Sequence, residues 1–192
     1  KTLRFSTYLM AVIAGEFQVY EDKTGTLPLR ILCRKALAKH IDPEEIFTVT
    51  KQGFAFYEEY FDYRYPFVKY DQAFVPEFNA GAMENTAAVT HGEHMIFRGQ
   101  VSESQRINRA ETVLHELAHM WFGDLVTMRW FNDVWMKEVF ANFMAAKIVN
   151  PSFPQVNHDL RFLLAHYPGA YQVDRTAGAN PIRQELANLD EA

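Results

Sequence analysis

Residues 115–119 read His-Glu-Leu-Ala-His, and Glu138 follows after eighteen intervening residues. Histidines four apart on a helix share one face about one turn from each other, so they can converge on a single ion. Two histidines and a carboxylate supply three ligands to a zinc and leave a fourth position open. That is the pattern of a catalytic rather than a structural site. Glu116, next to the first histidine, is placed to hold a water against the ion and to take its proton. The residues therefore read as His115, His119 and Glu138 for one Zn2+ per chain, with Glu116 as the base.

Two helices are needed to position this set. Ile107, Ala110, Leu114, Leu117, Ala118 and Trp121 form a helical apolar stripe that fills the core-facing side of the first. His115 and His119 lie on a neighbouring stripe with Glu111. The competing reading, an ordinary amphipathic helix with two half-buried histidines, leaves that second stripe unexplained. Ser102 or Ser104 suits the start of this helix and Gly123 its end. The second helix spans Asn132 to Val149, with Asn132 or Asp133 as cap and Asn150-Pro151 as stop. Phe140, Phe143 and Met144 give it apolar bulk. Glu138, among Val134, Ala141 and Ala145, is expected to face inward, where a carboxylate is costly unless paired or bound to metal.

Upstream, Leu27, Leu29, Ile31 and Cys33 alternate with polar residues as in a half-buried strand. Asp42-Pro43-Glu44-Glu45 is a helix start with cap, proline and dipole-matching acids. That helix is expected to run to about Phe61, with Ile46, Val49, Phe54, Tyr57 and Phe61 inward, until Tyr65-Pro66-Phe67 breaks the pattern. Strands are predicted over Lys69–Val75, ended by Pro76, and over Ala87–Thr90. A last helix is predicted over Gln155–His166, with a loop-like tail after Pro168. The aromatic density of residues 54–78 reads as core packing.

Bulk properties narrow the function. Hydrophobic content of 48% over 192 residues is ample for a domain core. A net charge of −5 offers no basic footprint for nucleic acid. No run approaches a membrane span, and the apolar stretch Tyr8–Ala14 lacks the layout of a signal peptide. Cys33 is the single cysteine, which excludes an internal disulfide and a thiolate zinc site and leans toward a reducing, cytoplasmic compartment. His40, His91, His94, His158 and His166 lack ligand spacing and read as surface or packing histidines.

Gly81-Ala82-Met83-Glu84-Asn85 stands thirty residues upstream of His115. This GAMEN stretch, followed by HExxH, eighteen residues and Glu, resembles the aminopeptidase N family of zinc metallopeptidases, which are gluzincins. Tyr65-Pro66-Phe67, Phe78-Asn79-Ala80 and Trp121-Phe122-Gly123-Asp124-Leu125-Val126-Thr127 look like the same family, so the similarity runs over nearly all of the chain. The resemblance implies an α+β, thermolysin-like catalytic domain, mainly helical, with a small mixed sheet at its N-terminal side. It implies that residues 1–22 close a preceding N-terminal β domain or link to it, Phe5–Tyr20 resembling that domain's last strands. Residues 23–192 would then be a catalytic domain incomplete at its C-terminal end. The implied activity is removal of the N-terminal residue from peptides. Gly81, Ala82, Met83, Glu84 and Asn85 would bind substrate, with Glu84 on the terminal ammonium.

The implied partners are peptides with a free N-terminus and the remaining domains of the full-length enzyme, with no nucleic acid and no membrane span in this chain. A related branch hydrolyses a lipid epoxide and typically has glycine where Ala82 stands. A thermolysin-like endopeptidase would have no reason for GAMEN. A catalytically weak or inactive member acting as a peptide-binding scaffold would tend to lose Glu116 or a ligand. Around Glu138 the family usually reads Trp-Leu-Asn-Glu-Gly-Phe-Ala, whereas this chain has Trp135-Met136-Lys137-Glu138-Val139-Phe140-Ala141. Lys137 would weaken metal binding if it pointed inward and is expected to point away. The family's intermediate-stabilising tyrosine is expected beyond residue 192, and neither Tyr167 nor Tyr171 takes that role.

Overall fold

The computed structural model describes residues 4–187, so the outermost positions of the two expected domains, 1–3 and 188–192, lie outside the described residues. The architecture is α+β: one mixed five-stranded sheet and four α-helices. β1 (Phe17–Thr24) and β2 (Leu27–Arg34) form an antiparallel hairpin, and Gly25 takes the positive φ of 56° that its two-residue connection requires. In β2 the expected alternation holds, with Leu29, Ile31 and Cys33 buried. β3 (Tyr70–Val75) runs parallel to β2, and β5 (Ala88–Gly92) runs parallel to β3. β4 (Ala82–Met83) pairs antiparallel with β5, so the order is β1-β2-β3-β5-β4 and the GAMEN segment forms an edge.

α1 (Pro43–Tyr60) is the crossover from β2 to β3 and starts as its sequence predicts. The Asp42 side chain accepts from the Glu45 amide at 3.1 Å, and Pro43 opens the first turn. It packs on α2 (Glu103–His119) at Gly53, where a Cβ would come within 2.6 Å of Leu114 Cδ2 and 2.7 Å of Leu117 Cδ2. The absence of a side chain at Gly53 lets the two helices approach, and the Tyr57 hydroxyl donates to the Leu114 carbonyl at 2.9 Å. α2 begins at Ser102 with a full capping box, Ser102 and Gln105 satisfying each other's backbone amides. Its apolar stripe, Ile107, Ala110, Leu114, Leu117 and Ala118, is buried as expected.

α3 (Val134–Ile148) follows a 3₁₀ turn at Phe131–Asp133, and Asp133 sits at the cap position without capping, pairing instead with Arg183. Met136, Val139 and Phe143 are exposed. α4 (His158–Asp174) differs from the expectation of a helix ending near His166, since it continues through Pro168. Pro168 offers no amide to the Leu164 carbonyl, but residues 163–174 are exposed, so solvent can serve that carbonyl and the break is tolerated. Among the described residues no helix is long and apolar enough to cross a membrane.

Candidate functional site

The site lies where the C-terminal half of α2 faces the first turns of α3, beside the edge strand β4. The expected ligand atoms meet. His115 Nε2 and His119 Nε2 are 2.9 Å apart, and Glu138 Oε2 stands 3.3 Å from the first and 3.6 Å from the second. Ligands about 2.0–2.1 Å from a tetrahedral zinc are separated by roughly 3.3–3.4 Å, so the edges of the triangle fall on either side of those of one face of such a coordination sphere. The donors suit a metal chemically as well. The Phe122 carbonyl lies 2.9 Å from His119 Nδ1 and can only accept, so Nδ1 carries a proton and Nε2 is the nitrogen left for a metal. Burial, then the neighbouring His119, lowers the His115 pKa against the opposing pull of Glu138.

The carboxylates differ by their surroundings. Glu138 does not face into a core as expected; its side chain is 45% exposed. Burial works to raise its pKa, but the bonds to His115 and His119 and the charge of Lys137 outweigh that and hold it well below the usual range. Glu116 is buried, and its Oε2 has no hydrogen-bond partner among the described residues. Burial first, then Glu84 and Glu138, raise its pKa well above the usual value. Burial, reinforced by Glu84 and opposed by Thr86 and Lys137, pushes Asp124 up to about 8. Glu84, Glu116, Asp124 and Glu138 face the single ammonium of Lys137, a balance that favours an added cation.

Within GAMEN the structure separates roles. Ala82 and Met83 form β4, whose outer edge has no strand neighbour among the described residues. Glu84 is buried, with a carboxylate oxygen close to Glu116 and to His119 Nε2 or Nδ1, all within 4.8 Å of one another. Asn85 is tied elsewhere: it accepts from Thr90 Oγ1 at 2.9 Å and donates to the Leu9 carbonyl at 3.4 Å. Gly81 is exposed, and its carbonyl accepts from the Gly92 amide at 2.9 Å. A cleft of about 490 Å³ opens beside Ala82, His115 and Glu116, bounded on its far side by Asn142, Arg161 and Phe162.

Lys137 departs from its expected direction. It points inward, with its side chain 8% exposed, and forms an ion pair with Glu84. The reason is space and charge together. Gly123, at φ +134°, lacks a side chain, and a Cβ there would come within 2.9 Å of Lys137 Cδ. The slot holds the aliphatic stem, and Glu84 draws the ammonium. Arg161 is another contributor that spacing did not indicate: from α4 it bonds Glu111 at 3.0 Å and also Asn108, fixing α4 beside the cleft. Of the remaining histidines, His91 is a packing residue, stacked on Phe74 at 4.9 Å and pushed down to about 3 by burial. Buried His158 bonds the Phe153 carbonyl at 2.9 Å. Tyr167 and Tyr171 pack on each other, 4.3 Å apart, on exposed α4.

Residues 46–192 match the peptidase family M1 domain. The chain is similar to Aminopeptidase N of Streptomyces lividans, 46% identical over 196 residues that cover 99% of this chain and 23% of the relative. It is 36% identical over 191 residues to Tricorn protease-interacting factor F2 of Thermoplasma acidophilum, covering 99% of this chain and 24% of that protein. With Leucyl aminopeptidase of Saccharolobus solfataricus the identity is 34% over 192 residues, covering 100% and 24%. The chain thus spans about a quarter of the length of these curated relatives.

Proposed function

This chain belongs to peptidase family M1, and from that premise we propose that it is the zinc-bearing part of an aminopeptidase that removes the N-terminal residue of peptides. The observation that carries the reading is the convergence of His115, His119 and Glu138 at distances near tetrahedral edge lengths, with Glu116 and Glu84 alongside. These three residues would hold one zinc, which when bound supplies Lewis acidity toward a carbonyl oxygen and acidifies a water. Glu116 accepts the water's proton and passes it to the leaving amine. Its free Oε2 is the acceptor for that proton, and a cation at the ligand atoms would bring its raised pKa down.

Glu84 receives the terminal ammonium, which is largely charged near neutrality, in a charge-assisted bond. That bond sets the distance from the amine to the ligand atoms, so only the first peptide bond reaches the chemistry. The open edge of β4, at Ala82 and Met83, can take an extended peptide as a further strand. Gly81, with no side chain, leaves that approach clear, and Asn85 positions Glu84 by anchoring the turn to Thr90 and Leu9. The domain belongs in this reading to the thermolysin-like kind. Residues 1–22 close a preceding β domain and 23–192 form part of the catalytic one, β1 running across that boundary.

The test uses the full-length protein, with zinc measured by mass spectrometry and hydrolysis followed on leucyl-anilide and its N-acetylated counterpart. One zinc per chain and hydrolysis of the free-amine substrate alone are expected, with activity abolished in Glu116→Gln. Equal cleavage of blocked and free substrates by the natural protein and by Glu84→Gln would instead make the protein an endopeptidase.

A further inference from the structure

Lys137 has no task in the reaction just described, yet it is built into the site. A lysine ammonium has three donors. Here three acceptors surround it: Glu84 in an ion pair, Glu138 Oε1 at 3.2 Å and the Tyr8 hydroxyl at 3.2 Å. The Tyr8 ring lies over the same ammonium, its centroid 5.2 Å from Nζ. The stem is held in the slot above Gly123.

We propose that Lys137 is an internal occupant of the amine subsite, its ammonium taking on Glu84 the place that a peptide's terminal ammonium takes when substrate binds. The inference rests on the reading of Glu84 as the amine recogniser. The two groups are chemically alike, each a primary ammonium seeking a carboxylate. Lys137 already occupies Glu84, the carboxylate that both ammonium groups seek, so an arriving N-terminus must displace Lys137 from it or bind beside its charge. Buried charges a few ångströms apart are weakly screened, and the repulsion falls only on cationic ligands. Lys137 is therefore a specificity-determining residue. It weakens the hold on a free N-terminus and leaves ligands with a blocked amine unaffected, which narrows the protein's preference for the former.

The experiment compares the zinc-loaded full-length protein with its Lys137→Asn and Lys137→Met variants. Calorimetry gives the affinity for leucinamide and for N-acetyl-leucinamide without turnover, and kinetics on leucyl-anilide separate KM from kcat. Both variants should bind leucinamide about tenfold more tightly or better, with KM lowered and N-acetyl-leucinamide binding unchanged. Unchanged or weaker leucinamide binding in variants that keep their zinc and melting temperature would overturn the proposal. So would an equal gain for the acetylated ligand, which would mean that Lys137 only fills space. Should neither variant fold, the natural protein with 15N at its lysine Nζ atoms carries the test. Leucinamide should shift the signal of the buried ammonium, and an unmoved signal at saturation counts against displacement. Glu84→Gln separates the two ideas. If it weakens leucinamide binding while the Lys137 variants do not strengthen it, only the Lys137 proposal fails; if it has no effect, the amine role of Glu84 fails.

Discussion

The two helices that build the site are held in different ways. α2 carries His115, Glu116 and His119 from a helix that is capped at Ser102, packed against α1 through Gly53 and tied by Tyr57. α3 carries Lys137 and Glu138 from a helix without a side-chain cap, with Met136, Val139 and Phe143 exposed. On α2 the reactive side chains are placed by packing. On α3 they are placed by polar partners: Lys137 by Glu84, with Glu138 set 3.3 and 3.6 Å from the two histidines. Half of the candidate site is thus an extension of the core, and the other half depends on the groups it is meant to hold.

The largest effect that would sharpen this contrast is on catalysis. Glu116→Gln keeps the shape of the packed half and removes only the proton acceptor. Hydrolysis of leucyl-anilide should fall by about 10²–10⁴-fold with zinc content unchanged. A fall accompanied by metal loss would place Glu116 among the ligands.

Packing substitutions come next. Gly53→Val drives two methyl groups into Leu114 and Leu117 and should cost roughly 1–3 kcal/mol, read as a lower denaturation midpoint. Val139→Ala on the exposed face of α3 should stay within about 0.5 kcal/mol. Equal costs at the two positions would break the comparison.

The caps give a smaller, matched pair. Ser102→Ala removes the hydroxyl that accepts from the Gln105 amide and should cost about 1 kcal/mol. Asp133→Ala loses only an exposed pair with Arg183 and should cost a few tenths.

A further effect is on pH dependence. Asp124, pushed up to about 8 in the folded protein, has a folded pKa above its unfolded value, so the native state binds the extra proton. Stability therefore falls as pH rises from about 4 through 8. The raised Glu116 acts with the same sign. Asp124→Asn should flatten that decline in melting temperature, whereas a steeper decline would mean that Asp124 is stabilised as a carboxylate.

The packed half was the more legible in sequence. Helical periodicity, the Asp42 and Ser102 caps, the alternation in β2 and the spacing of His115 and His119 are local patterns. Tertiary structure bore out the elements they predict. The errors fall on α3 and α4. Glu138 is half exposed, Asp133 does not cap, and α4 runs through Pro168 because solvent can serve the carbonyl the proline leaves. No local pattern signalled these outcomes, since each depends on what lies opposite the helix.

By itself, then, the sequence determined which residue types can bind a metal and accept a proton, and that two of them, His115 and His119, share one face. A separation of four on a helix is a geometric statement that needs no other part of the chain. Tertiary structure alone decided that Glu138 reaches those histidines, that the GAMEN segment lies at a sheet edge and that Lys137 turns inward. Lys137 meets partners 53 and 129 residues away, Glu84 and Tyr8, in a slot that exists because Gly123 has no side chain. A helical position one step from Glu138 can face either way, and only the charges and space that folding brings opposite it select one.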